Sequence, residues 1–138
     1  MKKNITYSEK QTRDFAQKLS KQIDSGVITL KGELGAGKTI FVKGFAKGLG
    51  VKNTITSPTF VLVKNYKIPN SVKTLYHIDL YRLENPSSLE QLGLEEIFSN
   101  NENIILLEWQ ERLKSIQEKT VSITINKINS NTRELVVS

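Results

Sequence analysis

The residues Gly32-Glu33-Leu34-Gly35-Ala36-Gly37-Lys38-Thr39 place glycines, a lysine and a threonine at the spacing G-x-x-x-x-G-K-[ST], and the chemistry of that pattern is a grip on a chain of phosphates. Gly35 and Gly37 let backbone N–H groups turn inward without a Cβ in the way. A helix that opens at this point aims its positive dipole end and its unpaired amides at the same spot. Lys38, on an exposed loop, then reaches the β- and γ-phosphates as a point charge, and the Thr39 hydroxyl is placed to ligate Mg²⁺.

Such a grip needs a carboxylate for the metal at the end of a neighbouring strand. Two acids qualify. Glu108 follows the continuous apolar run Ile104-Ile105-Leu106-Leu107, and Asp79 follows Leu75-Tyr76-His77-Ile78. The C-terminal ends of parallel strands converge on the ligand crevice, which favours Glu108 as the group near Mg²⁺ and leaves Asp79 to orient the attacking water or hold a metal-bound one. His77 reads as a packed or hydrogen-bonded side chain, because phosphoryl transfer relies on positioning and charge more than on an imidazole base. Strand alternation sends Trp109, the single tryptophan, to the side opposite Glu108. Core packing and a place beside the nucleotide both remain open for it, and its emission is a possible reporter of binding.

The elements that must position these groups follow from periodicity. Val27-Ile28-Thr29-Leu30 is a β-rich run feeding the glycine loop, and Phe41, Phe45 and Leu49 recur at helical spacing after it, with Gly48 and Gly50 ending the helix. Ser8 with Gln11 opens an earlier helix whose buried stripe is Phe15, Leu19 and Ile23, stopped by Asp24-Ser25-Gly26. Residues 61–66 and 74–79 read as two strands of an antiparallel insertion, turning at Ile68-Pro69-Asn70-Ser71. Pro86 starts a short helix to Leu92, Gly93 breaks it, and residues 94–98 make another turn or two. The run at residues 104–107 is a strand buried on both faces. Residues 121–125 and 135–137, joined through Asn129-Ser130-Asn131, form a C-terminal β-hairpin.

Composition narrows the class. At 138 residues the chain is expected to form one domain, residues 1–138, with no room for a separate substrate domain. It has no cysteine, so disulfides and cysteine metal sites are excluded. Met1-Lys2-Lys3 is followed by no apolar run and no stretch approaches spanning length, so a cytoplasmic protein without membrane attachment is expected. Residues 1–69 hold 13 Lys+Arg against 4 Asp+Glu, while residues 70–138 hold 7 against 10. The basic half therefore either faces an anionic partner or is a solvated lysine-rich surface.

Taken together, GELGAGKT, then SPTF at residues 57–60 with Leu62, Val63 and Tyr66, then HIDLYRL at residues 77–83, then Glu108-Trp109, make the chain resemble the bacterial TsaE family, the P-loop ATPase of tRNA threonylcarbamoyladenosine biosynthesis. The resemblance runs through essentially the whole chain in order. It implies an α/β fold, the three-layer αβα P-loop NTPase arrangement around a mixed, mainly parallel sheet. It also implies cytoplasmic ATP hydrolysis in support of TsaB and TsaD, with tRNA reached through that complex.

By the same resemblance Gly35, Ala36, Gly37, Lys38, Thr39 and Ile40 hold the phosphates of ATP or ADP, and Thr39 with Glu108 holds Mg²⁺. Lys38, Asp79 and Glu108 are then the catalytic set, Ser57, Pro58 and Thr59 a switch-like loop, and Glu9 with Arg133 the walls of an adenine pocket. Ile40 departs from the family, many members of which carry a second hydroxyl residue there.

Three rival readings have sequence arguments of their own. A GTPase would read guanine through N-K-x-D, but Asn126-Lys127-Ile128-Asn129 ends without the carboxylate that accepts both guanine donors. A nucleotide kinase is disfavoured by size and by having only Arg13, Arg82, Arg112 and Arg133 to clamp a second substrate. A nucleotide-gated binding module with little turnover is barely separable from an ATPase at this level.

Overall fold

A strand run that is apolar throughout needs cover on both faces, and the helices supply it. The computed structural model describes residues 1–33, 35–55, 63–115 and 120–138. In chain order these form β1 (Lys2–Thr6), α1 (Glu9–Ser20), β2 (Gly26–Gly32), α2 (Lys38–Gly48), β3 (Val63–Lys67), β4 (Thr74–Asp79), α3 (Leu89–Leu92), α4 (Glu95–Ser99), β5 (Asn103–Glu108), β6 (Thr120–Lys127) and β7 (Arg133–Val137). The strands make one sheet in the order β1-β7-β6-β2-β5-β4-β3. Its centre, β6-β2-β5-β4, is parallel, and antiparallel ladders flank it on both sides. No helix among the described residues is long and apolar enough to cross a membrane.

Alternation along β5 assigns each residue to a layer. Ile104 and Leu106 join the core beneath α1 and α2, with Phe41, Phe45 and Ala16. Ile105 and Leu107 join the opposite core, with Leu94 and Phe98 from the α3–α4 side. The next residue, Glu108, therefore falls on the α2 face. On β4 the same parity puts Leu75 in the α2-side core and carries His77 and Asp79 to that face. Phe41 and Phe45 stack at 6.1 Å between centroids and are fully buried, each contributing about 1.5–3 kcal/mol of burial.

Several expectations change. Ser8 does cap α1, accepting from Gln11 N, but the fully covered stripe is Thr12, Ala16 and Ser20; Phe15 and Leu19 flank it half-buried, and Ile23 lies beyond the helix end. The reason is the close crossing with α2, where a Cβ on Gly44 would stand 2.7 Å from Arg13 Cα, so only small residues fit. The pair β3–β4 is not an insertion, because β4 runs parallel to β5 inside the main sheet and only β3 is an antiparallel edge. Pro86 does not open α3. Ser87 instead pairs in extended form with Leu113, and Ser88 with Gln91 makes the capping box that starts the helix at Leu89. The opening residues form β1 against β7, an element not anticipated from the sequence.

Candidate functional site

β2 delivers the chain to Gly32, and α2 begins six residues later at Lys38. Between them the backbone turns through left-handed conformations at Gly35 (φ 81°) and Gly37 (φ 107°), which L-residues with a Cβ rarely adopt. Gly37 is the N-cap and has no side chain to cap with, so the first amides of α2 carry no side-chain partner. That helix start is where Lys38 and Thr39 project. Thr39 is exposed, whereas Lys38 has only 16 % of its side chain exposed, less than the open loop position expected from sequence.

The reason is a pair of carboxylate contacts. Lys38 Nζ lies 3.5 Å from Glu108 Oε1, and His77 Nε2 lies 2.6 Å from Glu108 Oε2. Glu108 is 6 % exposed and His77 2 %, so both oxygens of a buried acid are engaged. His77 is thus a hydrogen-bonded side chain, as expected, and its Nδ1 finds no partner among the described residues. Asp79 is the register neighbour of Glu108 on β4. Burial pushes its carboxyl above the usual carboxylate range, Tyr81 N–H donating to Oδ1 pulls it down, and the charge of Glu108 pushes it further up.

Trp109 lies past the end of β5 with φ 61° and packs, partly buried, against the core on the face opposite Glu108, as alternation expects. Its ring also comes within 5.9 Å of Lys38 Nζ, with Tyr81 5.1 Å away and Arg112 Cζ at 5.5 Å, so core packing and a place beside the loop are combined in one side chain. A left-handed tryptophan stores strain, held here by ring contacts on several sides.

On the other flank of the loop is a cavity of about 400 Å³ walled by Glu9 and Thr12, by Gly35, Gly37, Thr39 and Ile40, and by Ser130, Asn131 and Arg133. The structure thereby gathers Glu9, Arg133 and the loop residues around one space. Ala36 is buried beneath the loop. Ser8, Ser130 and Asn131 also line the cavity and were not singled out from sequence, although the polar turn at residues 129–131 was the available signal. Ser57, Pro58 and Thr59 lie outside the described residues. The near-match to a guanine-reading loop is occupied otherwise. Asn126 Nδ2 donates to Glu134, and Asn129 Oδ1 accepts from the Asn131 and Thr132 amides to close the hairpin turn.

The donor set suits phosphate and a hard cation. The start of α2 has no side-chain cap and carries the Lys38 ammonium, and the oxygens of Thr39 and Glu108 are of the kind Mg²⁺ takes, a metal that uses one or two carboxylates and fills its shell with water and phosphate. Among the described residues no group of three His, Asp or Glu side chains is placed to hold a metal by itself.

The family model described as threonylcarbamoyl adenosine biosynthesis protein TsaE matches residues 6–135. The chain is 42% identical over 110 residues to the tRNA threonylcarbamoyladenosine biosynthesis protein TsaE of Bacillus subtilis (strain 168), covering 79% of this chain and 66% of that one. It is 36% identical over 136 residues to the protein of the same name from Treponema pallidum (strain Nichols), covering 97% and 98%. A crystal structure of YdiB from Bacillus subtilis superposes with a TM-score of 0.73 at 34% identity, over 97% of this chain and 82% of that one.

Proposed function

The chain belongs to the TsaE family of threonylcarbamoyl adenosine biosynthesis proteins, and from that premise we propose that it is the P-loop ATPase of the modification machinery, binding and hydrolysing ATP in the cytoplasm in support of TsaB- and TsaD-like partners and meeting tRNA through them. The observation that carries the reading is the uncapped start of α2, where Lys38 stands 3.5 Å from a buried Glu108.

In this reading the amides of the loop and of the first turn of α2 bind the phosphates, and Lys38 adds charge at their far end. Thr39 and Glu108 would hold Mg²⁺, with Glu108 kept in place by its contact with His77. The metal when bound supplies neutralisation of the charge on the transferring phosphoryl group. Asp79, beside Glu108 and with its affinity for a proton raised, would orient a water. The 400 Å³ cavity beside Glu9 and Thr39 has room for a nucleoside.

Phosphate release by the chain together with TsaB- and TsaD-like proteins tests this. Lys38→Ala should lower it by about 100-fold, the size of loss typical for one charge-stabilising donor. Unchanged release would sink the assignment. Nucleotide binding by the parent with no release under any partner combination would make the chain a nucleotide-gated binding module instead.

A further inference from the structure

The guanidinium of Arg133, besides walling the cavity, contacts the loop between β2 and α2 itself. Nε donates to Ala36 O at 2.7 Å and Nη2 to Gly35 O at 3.3 Å. Nη1 donates to Asn129 O at 2.7 Å and Thr132 O at 3.1 Å, across the hairpin turn. A guanidinium carries five N–H donors, so backbone carbonyls take four and leave about one to read a base.

The geometry points to Arg133 as a positioning residue that bolts the C-terminal hairpin to the phosphate loop and acts on the phosphate end of the ligand rather than on its base. The inference rests on the nucleotide reading above. A peptide unit is planar and trans, so fixing Ala36 O fixes the Ala36–Gly37 plane and sends the Gly37 N–H to the opposite side. Gly37 has φ 107°, a conformation glycine leaves as easily as it enters, and the arginine removes that freedom before any ligand arrives. The anchor is rigid because Arg133 lies in β7, paired with Thr6 of β1 on one side and Lys127 of β6 on the other. Lysine cannot substitute, since a single ammonium on a flexible stem does not span loop and turn together.

Calorimetry with Mg²⁺ and three probes, pyrophosphate, ADP and GDP, distinguishes the roles in the parent, Arg133→Lys and Arg133→Ala. Both variants should bind pyrophosphate and ADP about 10- to 100-fold more weakly, by the same factor, with the ADP-to-GDP ratio unchanged. Pyrophosphate affinity at the parent level while ADP affinity falls would overturn the inference, and so would a changed ADP-to-GDP ratio. A parent that binds all three with variants indistinguishable from it overturns the inference alone; a parent that binds none of them overturns the nucleotide reading as well. Amide exchange at Gly37 in ligand-free Arg133→Lys adds a readout independent of binding and of whether Arg133→Ala folds. Faster exchange at Gly37 than in the parent is expected, and an unchanged rate counts against the bolt.

Discussion

β4 and β5 run side by side in parallel and end on carboxylates in register, Asp79 against Glu108, yet the two ends are chemically unlike. Glu108 is buried and has Lys38 on one oxygen and His77 on the other. Asp79 is half-buried, accepts from the backbone of Tyr81 two residues on, and has its carboxyl pushed up by burial and the charge of Glu108 more than His77 and Lys38 pull it down. The difference comes from one strand of displacement. β5 lies directly beside β2, with Leu30 opposite Glu108, so its last residue meets the loop that β2 feeds; β4 is one position further out. Burial and the neighbouring carboxylate incline Asp79 to hold its proton.

Glu108→Gln should break that contrast most. It leaves shape and hydrogen bonding nearly intact but removes the charge, so the Mg²⁺ concentration needed for half-maximal nucleotide binding should rise by about tenfold or more. Trp109 emission should follow the titration, since Lys38, the cation expected to meet a bound phosphate, has its Nζ 5.9 Å from the ring. Asp79→Asn should change the same midpoint far less. Equal metal dependence in Glu108→Gln and the parent would mean that the outer strand carries the metal acid.

His77 offers a smaller intervention, one that makes Glu108 resemble Asp79. In His77→Leu the buried Oε2 loses its donor, a cost of about 1.5–3 kcal/mol for a hydrogen bond to a charged group. His77→Gln, which keeps an N–H donor, should recover part of that loss. Chemical denaturation of the three proteins decides it, and a leucine variant as stable as the parent would show that Lys38 alone is sufficient to hold the acid.

How much of this was legible in the sequence depends on the range over which each cause acts. The glycine turn from β2 into α2 was readable because strand run, glycines and helical repeat follow one another in the chain, and the strand that ends at Glu108 because four apolar residues in a row announce a central strand. β1 was not, since Lys2–Thr6 is mostly polar and becomes a strand by pairing with β7 at the far end of the chain. The small-residue stripe of α1 is dictated by the backbone of α2, which no pattern within α1 reports. Trp109 packs on the face that alternation assigns it, but its positive φ and its approach to Lys38 are not readable from the strand pattern. Arg133 could be assigned to the ligand cavity by family resemblance, but its carbonyl partners lie 97 and 98 residues away, so its contact with the loop is a tertiary fact.

The smallest expected effect is on stability, and it separates the two acids without any ligand. Asp79 has its carboxyl raised above 3.8, first by burial and then by the charge of Glu108, so the folded chain binds its proton more tightly than the unfolded chain does. The contribution of this group is therefore fully present below the ordinary value and is lost as pH rises through the raised one. Where Asp79 is ionised, its charge is one that the fold disfavours. Asp79→Asn keeps the oxygen that accepts from Tyr81 N–H and removes the charge, so it should raise Tm at pH 7 by about 1–2 °C, a modest figure because the group is half-exposed and screened. The gain should shrink as pH falls through the raised value and vanish below 3.8, where both side chains are neutral. Glu108→Gln should behave in the opposite sense and lower Tm at pH 7, because Lys38 and His77 lose a charged partner. Melting curves of both variants across that pH range test the contrast, and a Tm for Asp79→Asn below that of the parent at pH 7 would show that the Asp79 charge is stabilised by a contact the two-strand comparison leaves out.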